Sequence, residues 1–228
     1  MNAEFDKFAR DYDDLLKDPI RDAFAASGAF FHRRKWLLLS RILRGLALRP
    51  ENLGWLDVGC GKGELLRFGH ASFRHAAGCD PSAEMLRECA GLSVERQPES
   101  ARLPFAEASF DVITAACVYH HLSDADQAGL TRDIARVLRP GGVFVIFEHN
   151  PWNPATRRIV SRTPVDADAV LLTAAKTRRL MRGAGLAVAR TIYYLFLPEP
   201  VFHAAGGLET VLAKVPLGGQ YAVCARRA

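Results

Sequence analysis

Residues 56–63, Leu-Asp-Val-Gly-Cys-Gly-Lys-Gly, constrain the fold more than any other part of the chain. An apolar run leads into three alternate glycines, Gly59, Gly61 and Gly63, and a helix-like segment follows them. Glycine has no Cβ and adopts positive φ easily, so the pattern predicts a strand, a tight turn and a helix, with a ligand against the turn backbone. Glu64 stands three positions after Gly61, and no Gly-Lys-Ser/Thr follows. The spacing therefore differs from both the dinucleotide fingerprint and the phosphate-binding loop.

The apolar periodicity of the chain alternates between strand-like and helix-like segments, which is typical of sheets built from βαβ units. Near-continuous apolarity at 143–147 predicts a strand buried on both faces, as parallel strands are. We therefore predict a doubly wound, Rossmann-like α/β fold: a seven-stranded, mostly parallel sheet with an antiparallel strand at one edge and helices on both faces. The predicted strands lie at 55–58, 76–79, 93–97, 110–116, 143–147, 186–197 and 220–225.

Length and composition predict one domain over residues 1–228. A chain of 228 residues with 49% apolar and 24% charged residues has the composition of a single globular unit. Residues 1–49 are predicted to form a helical cap or lid of two helices, and residues 150–164, rich in Pro, Asn and Arg, are predicted to be an insertion. The helix that begins near Asp124 is predicted to end at residues 139–142, Arg-Pro-Gly-Gly, because proline cannot continue a helix.

The basic, amphipathic helix predicted at residues 30–48 has two interpretations. It could make peripheral contact with a membrane surface. A helix of this kind more often packs its apolar face on the sheet and leaves its arginines solvated. The longest uncharged stretch, residues 112–123, is shorter than the ~18 apolar residues of a membrane span, and the N-terminus is too acidic for a signal peptide. We expect a cytoplasmic protein without stable membrane insertion.

Charge and cysteine content restrict the partners of the chain. Thirty Lys and Arg residues against 25 Asp and Glu residues give a formal net charge of +5, spread along the sequence. This is weaker than the basic stripe of a nucleic-acid-binding protein, so we expect no nucleic-acid partner. The five cysteines contain no Cys-x-x-Cys pair, which fits a reducing compartment better than a disulfide framework or a zinc site.

An acidic residue and several short motifs follow the glycine-rich turn. Asp80 lies 21 residues after Gly59, where a carboxylate can accept both hydroxyl hydrogens of a ribose, a spacing that would also fit a nicotinamide enzyme. The motifs are Asp80-Pro81-Ser82-Ala83-Glu84-Met85-Leu86, Leu103-Pro104-Phe105, Ser109-Phe110-Asp111, His120-His121-Leu122-Ser123-Asp124 and Leu138-Arg139-Pro140-Gly141-Gly142. As a set over residues 53–148, they resemble the class I S-adenosylmethionine-dependent methyltransferases, in particular the type 11 group that includes the ubiquinone and menaquinone methyltransferases.

The resemblance implies S-adenosylmethionine as the cofactor and assigns binding residues position by position. Gly59, Cys60 and Gly61 would face its methionine part, Asp57 would hold that loop, and Asp80 would bind the ribose. The remaining residues that the resemblance implies are Pro81 and Met85 on the adenine, Glu99 and Ser100 near the adenine amino group, Ala116 and Cys117 near the methionine amino group, His121 near the sulfonium, and Tyr12 as a lid that excludes water.

Methyl transfer from a sulfonium needs an aligned nucleophile in a dry pocket and at most one base. His120, Glu148 and His149 are the candidate catalytic residues, because each can take a proton and strand ends of this kind open into ligand crevices. We predict no metal ion at His120 and His121, since neighbouring side chains point in different directions and no carboxylate or cysteine lies at ligand spacing.

The insertion at 150–164 is expected to cover the acceptor pocket. A charged Glu148 at the sheet edge needs a partner, which either the acceptor or an arginine of the insertion would supply. The arginines are Arg157, Arg158 and Arg162, and the expected aromatic walls of the pocket are Trp152, Tyr193, Tyr194 and Phe196.

The sequence thus predicts S-adenosylmethionine-dependent methyl transfer to an oxygen, nitrogen or carbon of a small-molecule acceptor, by a monomer or homodimer. A nicotinamide-dependent oxidoreductase is the first alternative, but the glycine spacing disfavours it and a Tyr-x-x-x-Lys pair is absent. A catalytically inactive, cofactor-binding partner subunit is the second alternative. RNA methylation ranks below these, because the chain has no Asn-Pro-Pro-Tyr motif.

Overall fold

The computed structural model describes residues 3–228 and contains a seven-stranded sheet. Its strands are β1 (Gly54–Val58), β2 (His75–Asp80), β3 (Val94–Arg96), β4 (Phe110–Ala116), β5 (Leu138–His149), β6 (Leu186–Tyr194) and β7 (Gln220–Arg227). Their order across the sheet is β3-β2-β1-β4-β5-β7-β6. Strand β7 pairs antiparallel with both of its neighbours, and the other pairings are parallel. The predicted fold class is confirmed. The antiparallel strand is β7, which lies beside the edge strand β6.

Helices connect the strands and form the N-terminal segment. The α-helices are α1 (Tyr12–Leu15), α2 (Pro19–Phe24), α3 (Gly28–Gly45), α4 (Glu64–Gly69), α5 (Ala83–Arg87), α6 (Asp124–Val137), α7 (Pro154–Val160), α8 (Ala174–Gly183), α9 (Glu199–Ala205) and α10 (Leu208–Leu212). Short 3-10 helices lie at Ala3–Lys7, Pro50–Asn52, His70–Ser72, Tyr119–His121 and Pro164–Asp166.

The prediction of two helices in residues 5–49 is wrong. The segment contains a 3-10 helix and α1, α2 and α3, because local signals restart the helix. The Asp18 side chain accepts the N–H groups of Ile20 at 2.8 Å and Arg21 at 3.3 Å, and Pro19 occupies the first helical position. Aspartate as N-cap followed by proline is a strong helix start.

Strand β5 begins five residues before the predicted strand start at residue 143. Helix α6 passes directly into β5 at Leu138, which pairs with Phe110 before an irregularity in the ladder. Helix α6 thus ends at Val137, directly before the predicted stop at Arg-Pro-Gly-Gly, and those four residues belong to β5. Gly141 has a φ of 77°, so the glycine pair bends the strand start rather than ending the helix.

Helix α3 packs its apolar face against the sheet. Its residues Phe30, Leu38, Leu39, Ile42 and Leu43 are buried in one cluster with Trp55, Val112, Val143 and Val145. The expectation of solvated arginines is wrong at Arg34, which is 6% exposed and pairs with Glu209; Lys35 is also buried, at 3% exposed. In the described chain, no helix has the length and apolarity to span a membrane.

Candidate active site

A cavity of about 430 Å³ lies at the carboxyl ends of β1, β2 and β4. The strand order of the sheet reverses between β1 and β4, which is where open α/β sheets bind ligands. From the sheet and its loops, the lining residues are Gly59, Gly61, Asp80, Pro81, Met85, Ala116, Cys117, Val118, His120, His121 and His149. From other segments they are Phe5, Tyr12, Leu16, Ile20, Arg21, Phe24, Phe31, His32, Lys35, Asn153, Ala155, Thr156, Ile159, Asp166, Leu195, Phe196, Leu217, Gly219 and Gln220.

Asp80 ends β2 as a buried carboxylate on the cavity wall. One oxygen accepts the Gly61 N–H at 2.9 Å, and the other accepts the Ser82 N–H at 2.9 Å. Burial raises the pKa of Asp80, and the two N–H groups act in the opposite direction. A carboxylate oxygen has more than one acceptor site, so each can still accept a hydroxyl hydrogen.

The glycine-rich turn after β1 requires glycine at its first position. Gly59 has a φ of 68°, and a Cβ there would lie 2.4 Å from a methyl carbon of Val118. The N–H groups of Gly59 and Cys60 both donate to the Cys79 carbonyl, which fixes the turn against β2. The turn backbone therefore forms part of the cavity floor with Asp80 beside it.

Four residues assigned to the cofactor on resemblance do not line the cavity. Cys60 is buried in the core, where its Sγ would lie 2.7 Å from a Cβ at Gly78. Asp57 is buried beneath the turn and accepts a hydrogen bond from the Thr114 hydroxyl at 2.6 Å. Burial raises the pKa of Asp57 to about 7. The other two, Glu99 and Ser100, use their carbonyls to accept hydrogen bonds from the buried Gln97 side chain.

The other assigned residues, Tyr12, Pro81, Met85, Ala116, Cys117 and His121, are brought together around the cavity. Cys117 has a φ of 59°, and its N–H donates to the Phe147 carbonyl at 2.8 Å. A left-handed backbone at a residue other than glycine is uncommon and occurs often at functional sites. His121 packs edge-to-face on Phe5, with ring centroids 5.0 Å apart.

Glu148 is fully buried and is not part of the cavity wall. Its Oε1 accepts the Tyr119 N–H at 2.8 Å, and its Oε2 accepts the Nδ1–H of His120 at 2.6 Å. The partner of Glu148 is His120 and is neither of the two alternatives considered, the acceptor or an arginine of the insertion; Arg162 lies 3.6 Å from Asp18. This pairing could not be predicted from spacing, because the two residues are 28 positions apart.

The three histidines on the cavity wall differ in charge. Burial opposes a charge on His120, but Glu148 and Asp166 raise its pKa well above the usual value. Burial lowers the pKa of His149 to about 4, and burial with the nearby His120 lowers the pKa of His121 to about 4. At neutral pH, His149 and His121 are therefore neutral imidazoles.

His120 and His121 lie side by side, with ring centroids 4.1 Å apart. Both Nε2 atoms are 3.5 Å from Oδ1 of Asp166. The two imidazoles therefore converge and a carboxylate lies between them, whereas the sequence predicted diverging side chains and no carboxylate at ligand spacing. Asp166 belongs to the 3-10 helix Pro164–Asp166. It is too far from His120 and His121 in the chain for ligand-spacing rules to detect the contact.

The insertion contributes to the cavity through α7. Asn153, Ala155, Thr156 and Ile159 line it, and the Asn153 side chain caps the helix by accepting the Thr156 N–H at 2.9 Å. Of the expected aromatic walls, Phe196 lines the cavity. The other three do not: Trp152 is 64% exposed, Tyr194 is buried with its hydroxyl on Gln220, and Tyr193 packs against the core.

Helix α3 supplies two cavity residues that sequence reasoning missed. Lys35 is 3% exposed, and in the described part of the chain it has neither a hydrogen bond nor an ion pair within 4 Å. Burial raises the pKa values of Asp57 and Glu64 and the charge of Lys35 opposes that rise, which places Lys35 near the turn after β1. Nδ1 of His32, one turn earlier, is buried without a hydrogen-bond partner. The amphipathic pattern of α3 alone does not show whether a polar side chain is buried in the cavity or lies on a solvent-exposed face.

Comparison with known proteins identifies the central segment. The profile of the family described as "Methyltransferase domain" matches residues 56–146. The chain is 32% identical over 115 residues to the uncharacterized methyltransferase YcgJ of Bacillus subtilis, which covers 46% of this chain and 45% of that protein. It is 28% identical over 150 residues to a tRNA (carboxymethyluridine(34)-5-O)-methyltransferase of Arabidopsis thaliana, covering 65% and 36%. Identity to a ubiquinone biosynthesis O-methyltransferase of Methylobacterium sp. is 27% over 201 residues, covering 79% and 76%.

The chain thus spans less than half the length of the first two relatives.

Solved structures share its fold. A methyltransferase of Thermotoga maritima covers 98% of both chains with a TM-score of 0.67 and 16% identity. A chain from the complex between a Haloferax volcanii methyltransferase and the Trm112 activator covers 99% of this chain and 98% of its own, with a TM-score of 0.64 and 23% identity. With its glycine-rich turn, Asp80 and matched central segment, the chain carries a methyltransferase domain over residues 56–146 and is similar to the class I S-adenosylmethionine-dependent methyltransferases of type 11.

Proposed function

We propose that the protein transfers the methyl group of S-adenosylmethionine to a small, partly apolar acceptor. The observation that carries the proposal is the cavity, which joins the turn after β1 and Asp80 to a wall of apolar side chains. That wall comprises Leu16, Ile20, Phe24, Phe31, Ile159, Leu195, Phe196 and Leu217. A concave, largely apolar space of this size is typical of small-molecule sites.

The residues of the cavity fit the cofactor of the family. Asp80 can accept hydrogen bonds from two ribose hydroxyls, and Pro81 and Met85 provide an apolar surface for the adenine. Lys35 is a buried cation without an ion-pair partner among residues 3–228, so it can pair with the methionine carboxylate. When bound, the cofactor supplies an activated methyl group on a sulfonium.

His149 is the candidate base for an acceptor that must lose a proton. It lines the cavity as a neutral imidazole, whose Nδ1 is 3.5 Å from the side-chain nitrogen of Gln220. His120 is held charged by Glu148 and therefore cannot accept a proton in this state. Of the three catalytic residues suggested by the sequence, we propose that His149 contacts the acceptor and that Glu148 positions His120.

We also propose that residues 3–49 and α7 act as the cover of the pocket. Tyr12, Phe24 and Phe31 from the N-terminal segment and Ile159 from α7 line the same cavity as Asp80. Their apolar side chains exclude water from the space in which methyl transfer takes place. A dry pocket favours in-line attack by an aligned nucleophile.

The test is a methylation assay on fractionated cell extract. Purified protein and S-adenosylmethionine labelled in the methyl group are incubated separately with small-molecule, RNA and protein fractions. We expect label in the small-molecule fraction, and calorimetry should show binding of S-adenosylhomocysteine but not of NAD. Label confined to nuclease-sensitive RNA would refute the small-molecule acceptor and favour the activity named for the Arabidopsis relative. Pure protein should turn over as a monomer or homodimer, without an activator such as the one bound to the Haloferax neighbour.

A further inference from the structure

Three ligand atoms of the kind that bind transition metals converge on the cavity wall. Nε2 of His120, Nε2 of His121 and Oδ1 of Asp166 all lie within 4.8 Å of one another. Oδ1 of Asp166 is 3.5 Å from each imidazole nitrogen. Ligand atoms about 2.0–2.1 Å from a tetrahedral metal ion are separated by roughly 3.4 Å, so only small adjustments would bring the three atoms to one ion.

The environment of His120 matches that of a metal ligand. Its Nδ1–H donates to Glu148 at 2.6 Å, which leaves Nε2 as the atom directed toward Asp166. Metal-binding histidines usually donate their other N–H to a carboxylate, which fixes the tautomer and the ring orientation. Glu148 is itself held by the Tyr119 N–H, and the His120 carbonyl accepts the Val170 N–H at 2.8 Å. The ring therefore has little freedom to turn away.

The charge of the cluster favours a cation. Glu148 is fully buried and the Asp166 side chain is 10% exposed. Among residues 3–228, the ion pairs of these two carboxylates involve histidine and neither lysine nor arginine. Buried carboxylates are costly unless they are paired or coordinate a metal. One divalent ion, with His120 and His121 neutral, would balance both negative charges.

We propose that His120, His121 and Asp166 bind a divalent first-row transition-metal ion, with Glu148 as the carboxylate that orients His120. Two imidazoles and one carboxylate suit zinc or ferrous iron and leave coordination positions open toward the cavity. All three ligands line the cavity that holds Asp80 and Cys117, so an acceptor oxygen could occupy an open position.

The role of this ion rests on the proposed methyl transfer. A hydroxyl oxygen bound to a divalent ion loses its proton more easily, because the metal stabilises the oxyanion. In the balanced reaction, the acceptor O–H bond breaks and its proton passes to His149 or solvent. The oxygen then forms a bond to the methyl carbon, and the electron pair of the broken carbon–sulfur bond stays on sulfur. No oxidant or reductant takes part.

The site is tested by metal titration in the absence of cofactor and acceptor. Chelator-treated protein is titrated with Co²⁺, followed by visible ligand-field absorption, and with Zn²⁺ by calorimetry. We expect one ion per chain, and the variants Asp166→Asn and His121→Gln should bind at least ~10-fold more weakly. Asp168→Asn, on an exposed residue of the same loop, and His70→Gln, elsewhere on the surface, should bind like the parent protein.

Far-UV circular dichroism and thermal unfolding show whether each variant is folded. If Asp166→Asn does not fold, His121→Gln decides the result alone. Less than stoichiometric binding by the parent protein, or equal binding by parent and ligand variants, would show that the cluster is a histidine–carboxylate ion-pair network only. Because neither cofactor nor acceptor is present, that outcome leaves the proposed methyl transfer standing. A metal-loaded protein that labels no small molecule would refute the proposed transfer alone.

Discussion

The substitution Asp80→Asn tests whether the carboxylate at the end of β2 binds the cofactor. Each oxygen accepts one backbone N–H, from Gly61 and from Ser82, and each has capacity for one hydroxyl. Asparagine keeps the shape and one acceptor oxygen but loses the charge. Hydrogen bonds to a charged group contribute about 1.5–3 kcal/mol, so the Kd for S-adenosylhomocysteine should rise roughly 10- to 150-fold.

Asp111→Asn is the matched control. The Asp111 carboxylate also accepts a backbone N–H next to β1, from Gly54 at 2.7 Å, and pairs with Arg139 at 2.7 Å, but it does not line the cavity. Isothermal titration calorimetry and thermal unfolding are measured on both variants. Asp111→Asn should lower the Tm and leave the affinity unchanged. Unchanged affinity in Asp80→Asn, or losses of affinity that follow stability in both variants, would refute the reasoning.

Three further predictions follow from buried charges. Lys35→Met should weaken S-adenosylhomocysteine binding at least ~10-fold in calorimetry but leave 5′-methylthioadenosine, which lacks the carboxylate, unaffected; equal losses would contradict the pairing. His120 lowers the pKa of Glu148 against the effect of burial, so the contribution of Glu148 to the free energy of unfolding is lost as pH falls below about 4.5. The pKa of His120 is raised, so its contribution to the free energy of unfolding is lost as pH rises through that raised pKa. Urea unfolding should therefore show the largest deficit of Glu148→Gln between about pH 4.5 and 6.5. Arg34→Met leaves Glu209 buried without its ion-pair partner and should lower the free energy of unfolding by about 3–5 kcal/mol. The double variant Arg34→Met/Glu209→Gln removes the unpaired charge and should recover part of that loss.

Local signals made the βα core predictable. The turn within residues 56–63 is predictable from its own residues, because Gly59 has a positive φ that few other residues adopt. Ser82 and Ser123 cap α5 and α6, and the hydroxyl of each accepts the N–H three residues later. In these cases the residues that cause the structure are neighbours in the chain.

The polar interior of the site could not be predicted, because it depends on contacts between distant segments. Glu148 meets His120 because β4 and β5 pair in parallel, and Asp166 reaches them from the segment that follows α7. Sequence reasoning named Glu148 and His120 as candidates at the carboxyl edge of the sheet, but it did not pair them and did not find Asp166. Lys35 was hidden for a different reason: its burial depends on how α3 packs over the turn after β1.

The cavity itself explains why family membership does not identify the acceptor. The lining residues between Gly59 and His121 all fall within the matched segment, 56–146. They include the glycine-rich turn and Asp80, which is proposed to bind the ribose of the cofactor. The lining residues of the N-terminal helices, α7 and the segment around Leu195 to Gln220 all fall outside it. The matched part of the chain therefore contains the glycine-rich turn and Asp80, whereas most of the apolar wall proposed for the acceptor lies in the part that the profile does not match. Two relatives with different named acceptors can resemble this chain equally without either acceptor applying to it.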